Sequence, residues 1–97
     1  MTHHETEWNT HLYVVEEGNV TRAKATLDTT TAQFSGDGEA RKNPRDPQVH
    51  EIGDELAAGR ALADLSRKLL REAVQEIDEN EGMEPREAEP APARLWQ

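Results

Sequence analysis

The sequence predicts an α+β fold, a three-stranded antiparallel sheet packed against one long C-terminal helix, on three observations. Residues 8–41 contain three stretches in which apolar and polar positions alternate, the pattern of strands with one buried face. Gly18-Asn19 and Thr29 to Thr31 interrupt these stretches where hairpin turns are needed. From Glu51 to Glu79 the apolar spacing changes to threes and fours, the period of a helix.

The first strand is Trp8 to Glu17, with Trp8, Leu12 and Val14 on one side and His11, Tyr13 and Val15 on the other. Gly18 and Asn19 both tolerate positive φ, so a tight hairpin leads into the second strand, Val20 to Asp28. There Ala23, Ala25 and Leu27 form the core face, and Arg22, Lys24 and Thr26 the wet one. The third strand is Ala32 to Arg41, where Phe34, Gly36, Gly38 and Ala40 share a face. Such small residues beneath a helix let two backbones approach closely. Pro44 and Pro47 make Asn43 to His50 a rigid exposed loop that neither continues a strand nor opens a helix early.

In the helix, Ile52, Leu56, Gly59, Leu62, Leu65, Leu69, Ala73 and Ile77 form one apolar stripe that should face the sheet. Glu51, Asp54 and Glu55 near its start complement the helix dipole. Leu70 and Val74 widen the stripe beyond what three strands can cover. They are read either as a dimer surface or as a broader core stripe. The domain organisation that follows is a disordered leader at 1–7, an α+β domain at 8–79, and a disordered acidic Pro/Glu-rich tail at 80–97 that ends in Ala-Arg-Leu-Trp-Gln. Trp96 is an apolar tag able to dock on the domain or on a second chain.

Composition narrows the functional classes. The chain has 97 residues, 34% apolar and 32% charged, so it forms one small domain with a thin core, for which oligomerisation is an expected remedy. With no cysteine, disulfides, thiolate metal sites and cysteine nucleophiles are excluded, which suits a reducing cytoplasm. No stretch reaches the roughly 20 apolar residues of a membrane helix, and the N-terminus lacks the pattern of a secretory signal, so a cytoplasmic location is expected. A formal net charge of −9 opposes general nucleic-acid binding. That charge lies mostly at the two ends, and acid and base nearly balance between residues 20 and 71.

Catalytic constellations do not assemble. Gly36-Asp37-Gly38 lacks the third glycine and the Gly-Lys-Ser/Thr of nucleotide loops and reads as close packing or a bulge. His3, His4, Glu5, His11 and His50 follow no metal-ligand spacing. Ser35 and Ser66 lack a nucleophile context, and Asp54/Glu55 and Asp78/Glu79 are sequence neighbours that do not face one another on a helix. The expectation is a non-enzymatic protein with no cofactor and no metal. Two basic groups stand out: Arg41, Lys42 and Arg45 after the third strand, and Arg60, Arg67, Lys68 and Arg71 on the polar side of the helix. If the loop folds near the helix they make a phosphate-binding patch. The competing account is helix ion pairing, since Asp64 lies four residues from both Arg60 and Lys68.

Thr21 to Leu27 (TRAKATL), Gly36 to Arg41 (GDGEAR) with Pro44 behind it, Ile52 to Ala57 (IGDELA), Arg60 to Leu62 and Asp64-Leu65 together resemble an actinobacterial family of unknown function. Its members have a double-stranded-RNA-binding-domain-like fold, and some are dormancy-associated and similar to ribosome hibernation-promoting factor. The resemblance covers residues 21–65 and leaves both ends outside. It implies a homodimer, a role in stress or dormancy, and association with the ribosome or structured RNA, with no catalytic residues to carry over. In that reading Arg41, Lys42, Arg45, Arg60, Arg67, Lys68 and Arg71 meet RNA. The alternative is an acidic homodimeric protein-interaction module that uses Leu70, Val74 and Trp96 toward a basic protein partner and binds no nucleic acid.

Overall fold

The computed structural model describes residues 2–83, with side chains through Asn80. Three strands, β1 (Asn9–Glu17), β2 (Val20–Asp28) and β3 (Gln33–Arg41), form an antiparallel sheet in the order β1-β2-β3, and α1 (His50–Met83) packs on one of its faces. This is the expected α+β architecture. β1 and β3 each begin one residue later than the alternation indicates, and α1 runs on to Met83 where the apolar period stops at Glu79. Residues 2–7 of the expected leader contain no regular element, nor does Trp8, and Trp96 lies outside the described residues.

Turn chemistry fixes the register. Among the described residues Gly18 alone has positive φ, at 61°, the pattern of a two-residue turn with glycine first. It pairs Glu17 with Val20 and Val14 with Ala23. Between β2 and β3 the Thr29 hydroxyl accepts from Ala32 N at 3.0 Å and Thr31 N at 3.3 Å, while Thr29 N donates to Ala32 O at 2.8 Å. That turn sets Ala25 opposite Gly36 and Ala23 opposite Gly38.

The core is small in every sense. Its buried members are Ala23, Ala25, Leu27, Ala40, Ala57, Ala61 and Leu65, with Val14, Phe34 and Leu69 packed at its margin. Here the expected helical stripe is corrected. Ile52, Leu56 and Leu62 are 55%, 47% and 42% exposed, and Gly59 is exposed as well, whereas Ala57 and Ala61 are fully buried. The cause is the approach of α1 to β3. A methyl group added at Gly38 would collide with the carbonyl of Ala57 and the amide of Ala61 and lie 2.9 Å from Arg60 C. One added at Gly36 would collide with Ala61 O and Leu65 N and lie 2.8 Å from Leu65 Cα. At that separation the helical residues over Gly38 and Gly36 are Ala57 and Ala61, with Leu65 beyond them, while Ile52, Leu56 and Leu62 turn outward. Gly36 and Gly38 thus act as their shared face indicates, and they choose which side of the helix is buried.

Gly38→Ala is expected to destabilise the fold by about 1–3 kcal/mol, because the obstructing atoms are backbone and cannot rotate away. Chemical denaturation of the purified variant measures this.

Candidate functional site

The free edge of β3 is the first place where chemically active side chains converge. In the β2–β3 register Ser35, Asp37 and Glu39 turn their backbone groups away from β2. Three residues of α1 take those groups in succession. Lys68 Nζ donates to Ser35 O at 2.9 Å, Asp37 N donates to Asp64 Oδ2 at 2.9 Å, and Arg60 Nη1 donates to Glu39 O at 2.8 Å. The match is geometric: four helical residues advance about 6 Å and two strand residues about 6.8 Å. A helix running antiparallel to the strand therefore meets every second strand residue with every fourth helical one. An open sheet edge invites pairing with other chains, and this one is closed from within.

That arrangement reassigns most of the basic residues singled out for phosphate. Arg60 and Lys68 serve the β3 edge. Asp64 pairs with Lys68 at 3.2 Å and with Arg67 at 3.7 Å, so the ion-pairing account holds for those two, while Arg60 goes to the strand instead. Arg41 Nε donates to Glu39 Oε2 at 2.6 Å, an acidic partner two residues away. Lys42 Nζ donates to Asn43 O at 3.1 Å and Asp46 O at 2.9 Å, which folds the loop after β3 onto itself. Arg45 and Arg71 form no ion pair among the described residues, and they lie on separate elements. Arg41 and Lys42 share one cleft, whereas Arg60 and Lys68 lie along the β3 edge.

Asp64 titrates below the ordinary carboxylate value of 3.8, first because the Asp37 amide donates to it and then because Lys68 does. A carboxyl depressed on folding adds stability above its unfolded value and loses it as pH falls through the folded one. Its contribution therefore disappears only in acid below 3.8.

A cleft of about 260 Å³ opens where the β1–β2 turn, the end of β3, the loop and the start of α1 meet. Val49, Ile52 and Leu56 give it an apolar wall, and Glu16, Lys42 and Asp46 a polar rim. Across its mouth the Glu16 carboxylate holds His50 Nδ1 at 2.6 Å and also takes a hydrogen bond from the Gln48 amide. This tie between β1 and the first residue of α1 is absent from the sequence reading, because 34 positions separate its members. The only available signal was a histidine at a helix start and a glutamate at a strand end. His50 titrates above 6.5, chiefly because it hydrogen-bonds Glu16, whose charge also favours imidazolium. Among the described residues no three His, Asp or Glu side chains gather as a metal cage, and no helix is long and apolar enough to cross a membrane.

The remaining unusual surface is the side of α1 opposite the sheet. Leu70 and Val74, the expected partner surface, are 60% and 56% exposed, and Ile52 and Leu56, which wall the cleft, are exposed nearer the start of the same helix. Leu62 on α1 and Leu12 on β1 are exposed as well.

The Rv2632c-like family model matches residues 6–86, which spans every element described above. The chain belongs to the Rv2632c-like family. Among its relatives is the uncharacterized protein Mb1767 of Mycobacterium bovis, 41% identical over 71 residues that make up 73% of this chain and 76% of the relative. The uncharacterized protein Rv2632c of Mycobacterium tuberculosis is 43% identical over 65 residues, 67% of this chain and 70% of its own. The crystal structure of Rv2632c superposes with a TM-score of 0.76 at 37% identity, covering 81% of this chain and 94% of that one. The motif resemblance therefore leads to an actinobacterial family of unassigned function. These relatives support the family and not the double-stranded-RNA-binding-domain-like or hibernation-factor relationship.

Two outcomes test this geometry. Because a histidine raised on folding stabilises below its unfolded pKa and loses that contribution as pH rises through the folded one, the Glu16–His50 tie should loosen above 6.5. Glu16→Gln should bring the His50 ring titration, followed by NMR, down toward 6.5; an unmoved titration would show that the pair does not form. Asp64→Ala should speed amide hydrogen exchange at Asp37 relative to its neighbours in β3, since that N–H loses its acceptor.

Proposed function

We propose that the chain is a non-catalytic, acidic protein-interaction module whose contact surface is the outer side of α1, and that it binds no nucleic acid. The observation that carries the proposal is the inversion of side-chain size. Alanines fill the core while Ile52, Leu56, Leu70 and Val74 stand exposed on one helix. Covering such half-exposed aliphatic side chains is worth on the order of 1 kcal/mol each, enough together to drive association.

The competing reading is a stress- or dormancy-associated factor that occludes the ribosome through basic residues. Affinity for RNA comes from Lys and Arg that neutralise phosphates and release counterions. Of the seven basic residues singled out, Arg41, Lys42, Arg60, Arg67 and Lys68 have partners within the fold, while Arg45, Arg71 and, on β2, Lys24 form no ion pair among the described residues, against a net charge of −9. The distribution of partners supports the interaction module. The absence of a converging nucleophile or acid/base couple in the sequence reading supports the non-catalytic part of the proposal.

Co-sedimentation of the purified chain with ribosomes, at low and at high salt, tests the choice. The expected result is a chain that stays in the supernatant at both. Salt-sensitive pelleting that disappears in the Arg45→Glu, Arg71→Glu double variant would overturn the proposal in favour of occlusion.

A further inference from the structure

The cleft between the β1–β2 turn, the end of β3 and the start of α1 has a polar floor that the rest of the fold does not use. Thr21 is the one buried polar side chain among the described residues, 5% exposed, and it lines the cleft. Its hydroxyl makes no side-chain hydrogen bond among those residues, yet no side-chain polar atom there is both sealed from solvent and without a partner. The hydroxyl is therefore open, and its opening is the cleft. Gly53 keeps it so. A methyl group at Gly53 would stand 2.9 Å from Thr21 Oγ1 and 3.6 Å from Thr21 Cβ, so a side chain on that helical residue would cap the hydroxyl. Leaving a buried polar group without a partner destabilises a fold, and here the space for a partner is kept clear.

We propose that this cleft binds a small organic monocarboxylate, its aliphatic or aromatic body lying on Val49, Ile52 and Leu56 and its carboxylate accepting from Lys42 Nζ and the Thr21 hydroxyl. The inference goes beyond the interaction-module reading and does not rest on it. Three observations set the ligand's chemistry. First, Val49, Ile52 and Leu56 are exposed on the cleft wall, so an apolar body has aliphatic surface to cover. Second, the cavity of about 260 Å³ falls just below the roughly 300–1,000 Å³ of pockets for drug-sized ligands, which selects a molecule smaller than a nucleotide. Third, the charge left over in the lining is positive. The Glu16 carboxylate is met by His50 Nδ1 and the Gln48 amide, and Arg41 by Glu39. Lys42 is half-buried and forms no ion pair among the described residues, its ammonium being held by the backbone carbonyls of Asn43 and Asp46 at 3.1 and 2.9 Å. An ammonium carries three N–H donors, so one remains, already fixed in place by the loop. Asp46 is the lining carboxylate without an ion pair among the described residues, but it is exposed, where solvent and salt screen it more than a half-buried group. One spare cation beside one spare hydroxyl suits a single carboxylate.

The test uses the full chain, isotope-labelled and followed by amide NMR at neutral pH. It is titrated with sodium hexanoate and, at matched ionic strength, with hexan-1-ol and with hexylammonium chloride. Hexanoate should give saturable shifts at Thr21, Lys42 and Gly53 with a Kd on the order of 1 mM. The alcohol keeps the body and loses the charge, so it should bind about fivefold more weakly, and the ammonium more weakly still. Gly53→Ala introduces the better helix former and caps the hydroxyl. It should leave the far-UV circular dichroism unchanged and weaken hexanoate about tenfold. Thr21→Val keeps the shape without the hydroxyl and should weaken hexanoate about threefold. Lys42→Gln retains N–H donors for the loop carbonyls and removes the charge, so hexanoate should lose its advantage over hexan-1-ol. Hexanoate that gives no saturable shift in the cleft, that binds no better than the alcohol or the ammonium, or that is indifferent to both Gly53→Ala and Thr21→Val overturns the inference. None of these outcomes changes the ribosome assay, so the two readings stand or fall separately.

Discussion

The approach of α1 to the backbone of β3 at Gly36 and Gly38 is the constraint on which the rest of this structure depends. Carbonyl and amide groups of Ala57, Ala61 and Leu65 occupy the space where side chains at those two strand positions would stand. A contact of this kind yields dispersion along two closely packed backbones rather than burial of large side chains. It also imposes a size limit on both surfaces, and that limit is why five of the seven buried apolar residues are alanine.

Two consequences follow from the same proximity. A helix this close to the edge of β3 carries its polar side chains within reach of the strand's outward backbone groups, so Arg60, Asp64 and Lys68 become caps on Glu39, Asp37 and Ser35. The third strand thereby acquires a closed edge without an additional strand or a proline. The larger aliphatic residues of α1, excluded from the narrow interface, are displaced to its far side. Two of the basic side chains that looked available to phosphate, Arg60 and Lys68, are tied to the strand, and apolar surface that looked like core is presented to solvent.

The mycobacterial relatives share enough sequence and, for Rv2632c, enough backbone for this packing to be discussed as a family architecture. In such a small domain the surface not buried by folding is large relative to the core, and association is an effective way to cover it. The acidic surplus concentrated toward the chain ends opposes the approach of polyanions.

The amino-acid sequence by itself determined the local structure. Alternation marked the strands, Gly18 and Thr29 marked their turns, a change of period marked the helix, and the shared face of Gly36 and Gly38 marked where two backbones would touch. These features were legible because they depend on residues close together in the chain. Only the tertiary structure decided which side of α1 is buried. Its apolar positions at threes and fours mix two faces, one through Leu65 and Leu69 and the other through Ile52, Leu56 and Ile77, and a helical period alone does not separate them. The tertiary structure likewise decided the fate of the basic residues. Whether Arg60 and Lys68 meet a phosphate or a strand carbonyl depends on the distance from α1 to β3, and the absence of two Cβ atoms on β3 sets that distance.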